Sequence, residues 1–98
     1  MVFSARSDTF ARDNLPPPAE WPEFLFELPE LQFPGRLNCA TAILDRQALG
    51  VHGSRPAIVT PDQTWTYREL LAQANRIAHV LVEDMGLAPG NRVLLRSP

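Results

Sequence analysis

Apolar residues recur at helical spacing from residue 67 to residue 85, and this is the clearest pattern in the chain. A spacing of i, i+3, i+4 and i+7 places apolar side chains on one face of a helix and polar side chains on the other. The apolar positions are Leu70, Leu71, Ala74, Ile77, Ala78, Leu81, Val82 and Met85. Gly86 suits the left-handed position that ends many helices, and Pro89 prevents the helix from resuming. The pattern predicts a long amphipathic helix from Tyr67 to Met85.

A β-hairpin is predicted immediately before this helix. Residues 57–60 and 64–67 have strand-type composition, and the intervening Pro61 and Asp62 are typical of a type I turn. Thr66 and Glu69 form the pattern T-x-x-E, a capping box in which each side chain satisfies a free backbone amide at the helix start. The second strand should therefore lead directly into the helix.

A buried parallel strand is predicted after the helix, at Val93–Leu95. This run is apolar without alternation, which favours a strand covered on both faces. A strand, a helix and a second strand in this order indicate a right-handed βαβ unit and hence an α/β fold. Such a strand needs neighbouring strands and a covering helix, and little sequence follows it. We therefore expect residues 38–98 to be the first portion of a larger, incomplete unit.

A short amphipathic helix is predicted between Leu37 and Gly50. Asn38 can cap its start and Gly50 can end it, because these residue types favour those positions. Cys39 lies in the first turn, where a helix N-terminus can stabilise a thiolate. No nearby histidine or second cysteine is placed to activate it, so a passive thiol is the favoured interpretation.

Residues 1–37 are predicted to form an irregular arm. The chain has ten prolines, and six of them lie between Pro16 and Pro34. Proline removes a backbone donor and fixes φ, so long regular elements are excluded there. We expect residues 1–14 to be extended or frayed. The apolar residues of the following segment predict a strap packed on its own domain, or alternatively a peptide that docks on a partner, with polyproline II structure at residues 16–18.

The composition argues against several classes of function. The formal net charge is −2 and the charges are interspersed, so we expect no nucleic-acid or membrane partner. A single cysteine and the absence of a signal-like amino terminus favour the cytoplasm. No apolar run approaches the roughly 18 residues of a membrane span.

The sequence contains no constellation of residues that predicts a catalytic, cofactor-binding or metal-binding site. His52, His79 and Cys39 lack a recognised metal-ligand spacing. The glycines fit no phosphate-binding loop, and each has a role in a turn or cap. Three carboxylates that could serve in acid–base chemistry belong to helix surfaces or caps, and nothing in the sequence brings two of them together. They are Asp45, Glu69 and Asp84.

Two long stretches nevertheless resemble a known family. Residues 55–81 read RPAIVTPDQTWTYRELLAQANRIAHVL, and residues 86–95 read GLAPGNRVLL. They resemble the opening segment of adenylate-forming acyl-CoA and aryl-CoA ligases. The arm, with DTFARDNLPPPAEWP and LPELQFPGRLNCA, looks like the benzoate and 2-aminobenzoate branch. Asn91 stands where the family usually has Asp, at a turn.

This resemblance implies an N-terminal fragment of the large α/β domain of an aryl-CoA ligase. The family uses ATP and Mg²⁺ to convert a carboxylate into an acyl-adenylate, and CoA then displaces AMP to give a thioester. The family's phosphate loop, nucleotide-binding motifs and catalytic lysine match nothing in these 98 residues. No catalytic, cofactor-binding or metal-binding residue is therefore assigned, and the fragment alone is expected to be inactive and to bind none of these cofactors.

A second hypothesis remains from a different class. The chain could be a stand-alone binding or assembly module that keeps the ligase-like βαβ unit. It would associate with itself or a partner through the exposed sheet edge or the Pro/aromatic arm. The first hypothesis instead expects the remainder of the ligase chain to cover that edge. The aryl acid is left open between benzoate, 2-aminobenzoate and others.

Overall fold

The computed structural model describes residues 5–98. The chain divides into two units, which are described individually. One consists of the described part of Met1–Phe24 together with Val80–Pro98, and the other is Leu25–His79. None of the helices in the described residues is both long and apolar enough to cross a bilayer.

The amino-terminal arm begins with a single helical turn, α1, at Phe10–Asp13. One Asp8 carboxylate oxygen accepts the N–H of Phe10 at 3.0 Å, and the Asn14 amide donates to the carbonyl of Phe10 at 2.8 Å. The expectation of an extended or frayed segment is therefore wrong for residues 10–13, which form a helical turn. Side-chain hydrogen bonds at both ends hold the turn, although its sequence lacks apolar periodicity. Residues 1–4 of that expectation lie outside the described part.

The rest of the arm is irregular, as expected, and contains two 3₁₀ turns, at Pro18–Glu20 and Pro29–Leu31. Trp21 packs edge-on against Phe24, and Phe26 packs edge-on against Phe33, with ring centroids 6.5 and 6.2 Å apart. The Trp21 indole N–H donates to the carbonyl of Pro16 at 2.7 Å. These four rings remain 43–60% exposed. These four rings are therefore not buried, contrary to the expectation of a strap packed on its own domain.

The predicted short helix is present, with an unexpected widening. The Asn38 side chain accepts the N–H of Thr41 at 3.0 Å, which confirms the cap. The helix passes through a π-helical turn at Thr41–Asp45 and then through α2, Arg46–Leu49. Ala48 in α2 is the only fully buried apolar residue of the described part.

The predicted hairpin is confirmed. Strands β1, Pro56–Val59, and β2, Thr64–Thr66, pair in antiparallel fashion, and the register shifts between Pro56 and Ile58. At the turn, the Thr60 N–H donates to the carbonyl of Gln63 at 2.8 Å, and the Gln63 N–H donates to the Thr60 hydroxyl at 3.0 Å.

The long helix begins where the sequence predicts and changes its geometry near its end. The α-helix α3 spans Tyr67–His79, and a π-helical turn follows at Val80–Asp84. Gly86 has φ 66°, which confirms the predicted left-handed end. Of the predicted apolar stripe, Leu70, Leu71, Ala74 and Leu81 are half-buried, whereas Ile77, Val82 and Met85 are 52–65% exposed.

The predicted parallel strand Val93–Leu95 is not formed. Residues 91–98 carry no regular secondary structure, and Leu94 and Leu95 are 92% and 88% exposed. The sheet of the described residues has two strands, which are antiparallel, so the βαβ unit is also absent. A parallel strand forms its backbone hydrogen bonds with a neighbouring strand, and the two described strands pair only with each other. What the structure contains is a small mixed helical and two-stranded arrangement.

Candidate functional site

The cysteine and the two histidines lie on separate elements. Cys39 is a free, exposed thiol, His52 is half-buried in the turn after α2, and His79 is exposed at the end of α3. Within residues 5–98, no three His, Cys, Asp or Glu side chains are grouped so that they could hold a metal ion.

The Glu69 carboxylate forms the predicted capping box at the start of α3. It accepts the backbone N–H of Thr66 at 2.8 Å and the Thr66 hydroxyl at 2.9 Å, while the Glu69 N–H donates to that hydroxyl at 3.3 Å. The hydrogen bond from the Thr66 backbone, and then that from its side chain, lower the pKa of Glu69. The hydrogen bonds of this carboxylate are therefore used to cap the start of α3.

The other two carboxylates are also on helical surfaces. Asp45 accepts a hydrogen bond from the Thr41 hydroxyl at 3.3 Å, one turn earlier in the helix. Asp84 is exposed in the π-helical turn. The structure therefore brings neither of them to Glu69 as an acid–base pair.

The most developed polar cluster lies where the arm meets the turn at residues 88–92, within one unit. The backbone N–H groups of Ser7 and Asp8 both donate to the carbonyl of Pro89 at 2.9 Å. Gly90 follows with φ 100°, and a Cβ at this position would overlap the carbonyl oxygen of Asp8. Only glycine allows the turn to approach the arm so closely with this backbone conformation.

The Asp8 carboxylate is the centre of this cluster. One oxygen accepts from the Phe10 backbone, and the other accepts from the Asn91 amide and the Arg92 guanidinium, each at 2.7 Å. The pKa of Asp8 is lowered by the hydrogen bond from Phe10 first, then by that from Asn91, and further by the charge of Arg92. These contacts therefore favour the charged form of Asp8.

Asn91 performs two tasks that require an amide. Its side-chain oxygen accepts the Ala88 N–H at 2.9 Å, and its side-chain nitrogen donates to Asp8. An aspartate could accept from Ala88 but could not donate to Asp8. Sequence reasoning treated this departure from the family pattern as an ordinary turn substitution, and it missed the cluster. The presence of Asn91 where the family usually has Asp was the signal in the sequence that could have revealed the cluster.

A cavity of about 310 Å³ opens beside this cluster. The residues that line it include Arg6, Arg12 and Arg92 together with Asp8 and Thr9. The Arg92 guanidinium carbon lies 4.6 Å from the centroid of the Phe10 ring, in a cation–π arrangement.

A second, more open cavity of about 410 Å³ lies along β2 and α3 in the other unit. Its polar groups are already engaged: the Trp65 indole donates to Gln63 at 2.9 Å, Arg76 donates to Gln73 at 3.3 Å, and Glu69 caps the helix. It has no convergent set of side chains that indicates a ligand.

The chain is similar to three curated proteins of very different sizes. It is 50% identical over 42 residues to surfactin synthase subunits 1 and 2 of Bacillus subtilis, a match that covers 43% of the chain and 1% of each subunit. It is 31% identical over 67 residues to benzoate–CoA ligase of Thauera aromatica, covering 68% of the chain and 13% of that enzyme. The chain therefore spans only a small part of these relatives.

No solved structure matches the chain significantly. Residues 44–98, more than half of the chain, match the family described as AMP-binding enzyme. These residues include the hairpin, α3 and the turn that carries Asn91. The chain belongs to the AMP-binding enzyme family.

Proposed function

We propose that these residues belong to an ATP-dependent aryl-acid CoA ligase of the benzoate or 2-aminobenzoate type. The observation that supports this choice most is the fraction of the chain that each match covers. The match to benzoate–CoA ligase covers 68% of the chain, whereas the match to the surfactin synthase subunits covers 43%. The arm also resembles the benzoate and 2-aminobenzoate branch.

The proposed reaction has two steps. The aryl carboxylate attacks the α-phosphate of ATP, which gives an acyl-adenylate and pyrophosphate. The CoA thiol then attacks the acyl carbon, and AMP leaves as the thioester forms. Mg²⁺ would accompany ATP and screen its phosphates.

We assign no catalytic step to residues 5–98. They contain neither a phosphate-binding loop nor a grouping of His, Cys, Asp and Glu that could hold Mg²⁺. Their proposed role is structural, as the first part of the large domain, with residues 1–37 as an arm and residues 38–98 as the start of the AMP-binding domain. We propose a cytoplasmic location for the enzyme.

The test is pyrophosphate exchange into ATP, dependent on an added acid. We expect the protein made from its complete reading frame to support exchange with benzoate or 2-aminobenzoate and not with acetate. We expect residues 1–98 alone to support none. Exchange with acetate but not with the aryl acids would contradict the substrate class. Exchange by residues 1–98 alone would contradict the structural role.

The alternative of a stand-alone module has one observation in its favour, the exposure of large apolar side chains on the arm. Phe24, Phe26 and Phe33 are 51–60% exposed, and such surface is typical of sites that associate with other proteins. Sizing and intact mass of purified residues 1–98 would separate the two hypotheses. A discrete, folded oligomer supports the module, and an unfolded chain supports the ligase fragment.

A further inference from the structure

Residues 25–33 of the arm form a compact loop, called the arm loop below. It contains the 3₁₀ turn at Pro29–Leu31, and the Gln32 side-chain amide donates to the carbonyl of Phe26. The edge-on contact between Phe26 and Phe33 closes the same loop. These contacts hold the loop in one conformation, which lowers the entropy that its binding to a partner would cost.

The arm loop presents both apolar side chains and carboxylates to solvent. Leu25, Leu28 and Phe33 are 60–63% exposed. Glu27 and Glu30 are also exposed, and they make no hydrogen bond or ion pair with any other described residue. Because the loop has these two carboxylates and no lysine or arginine, its formal charge is −2. A surface that fits it therefore combines apolar side chains with positive charge.

A groove of about 340 Å³ between α2 and α3 has this composition. It is lined by Ala48, Leu49, Leu71, Ala72, Arg68 and Asn75. Since a cavity of roughly 150 Å³ is enough to hold benzene, the groove can accept a phenylalanine ring. The groove and the arm loop belong to the same unit, yet no residue of the loop lines the groove in the described structure. The groove is therefore open to the loop of another molecule.

Two arginines give the groove its positive charge. Arg68 lines it, and Arg46 precedes Leu49 by three positions in α2, so Arg46 and Leu49 lie on one side of that helix. The Cγ of Arg68 would lie 3.0 Å from a Cβ on Gly53, so the stem of this side chain is packed against the chain. Neither guanidinium makes a hydrogen bond or an ion pair with another described residue. The two arginines thus match the two glutamates of the arm loop in charge.

We propose that two copies of the chain associate by exchanging arm loops, with the arm loop of each copy in the α2–α3 groove of the other. The exposed leucines and Phe33 of the loop contact the apolar lining, and its glutamates pair with Arg46 and Arg68. A two-fold axis relates the two contacts, so the association closes as a dimer. The inference goes beyond the ligase proposal and does not depend on it.

The test is charge reversal with complementation, on the protein made from its complete reading frame. One variant carries Glu27→Arg and Glu30→Arg, and the other carries Arg46→Glu and Arg68→Glu. Each variant alone joins like charges in both contacts, so each should be monomeric in sedimentation equilibrium. Their mixture should form a heterodimer, because both contacts again join opposite charges. The unmodified protein should dimerise, with a dissociation constant that rises as NaCl is added.

A variant with Glu20→Arg and Glu23→Arg is the matched control, because both are exposed glutamates of the arm outside the loop and the net charge changes equally. It should dimerise as the unmodified protein does. If a charge-reversed variant fails to fold, Glu30→Gln and Arg68→Gln should each weaken dimerisation roughly twofold or more. A monomeric unmodified protein, a mixture that stays monomeric, equal weakening by the control, or no effect of either glutamine variant would overturn the proposal. Pyrophosphate exchange by the same samples tests the ligase proposal separately, because neither surface has a catalytic role in it.

Discussion

Replacement of Gly53 by alanine tests the packing of the only fully buried region in the described structure. Gly53 is buried beside Ala48, which has no exposed surface. A Cβ on Gly53 would collide with the Ala48 carbonyl oxygen and would lie 2.6 Å from Nε of Arg68. The Arg68 side chain can move away, whereas the carbonyl belongs to the backbone of α2. The collision should therefore separate α2 from the start of α3.

The expected cost follows from this geometry. Overpacking of a well-packed site costs about 1–3 kcal/mol. Replacing glycine by alanine also stabilises a protein by about 0.4–1 kcal/mol through the unfolded chain. Gly35 provides the matched control, since a Cβ there meets nothing within 4 Å and its φ is not positive. The difference between Gly53→Ala and Gly35→Ala removes the unfolded-state effect and should be about 1–3 kcal/mol.

The assay is urea unfolding of the purified protein, followed by tryptophan fluorescence, with the free energy of unfolding extrapolated to water. The Gly53→Ala variant should also be measured in an Arg68→Ala background. Because the carbonyl is the obstacle, most of the cost should remain there. A free energy within about 0.5 kcal/mol of that of Gly35→Ala would refute the reasoning, since that is the range of substitutions without a structural consequence.

Two further predictions concern the carboxylates of Asp8 and Glu69. Asn91→Asp should place two carboxylates face to face, and their repulsion should release the arm from the turn. Hydrogen exchange at the Asp8 backbone amide, which donates to Pro89, should then be faster, and adding Asp8→Asn should restore its protection. Unchanged exchange in Asn91→Asp would contradict the role given to the Asn91 side-chain amide. The pKa of Glu69 is lowered from 4.5 in the folded state, so its stabilising effect is complete above pH 4.5 and is lost as the pH falls through the lower folded value. Glu69→Gln is the reference, because glutamine keeps the hydrogen-bond acceptor for Thr66 but does not titrate. The difference in free energy of unfolding between the native protein and Glu69→Gln should be constant above pH 4.5 and should fall below it. A difference that stays constant at every pH would contradict this account.

The elements that the sequence predicts correctly are those encoded by neighbouring residues. The hairpin turn, the capping box at Thr66 and the left-handed end at Gly86 each depend on contacts over a few positions. The strand at Val93–Leu95 depends instead on a partner strand, so its apolar composition could not decide its structure. The Asp8–Asn91 contact joins residues 83 positions apart, which no local pattern encodes.

The same separation affects the order in which the chain folds. A hairpin and its adjoining helix close short loops, whereas docking of Asp8 on Asn91 closes a loop of more than 80 residues. Closure entropy grows with loop length, so local contacts form early and distant ones late. The arm should therefore dock after β1, β2 and α3 have formed. A long-range hydrogen bond made late stabilises the folded state chiefly by slowing unfolding, so the arm acts on how long the structure lasts rather than on how fast it forms.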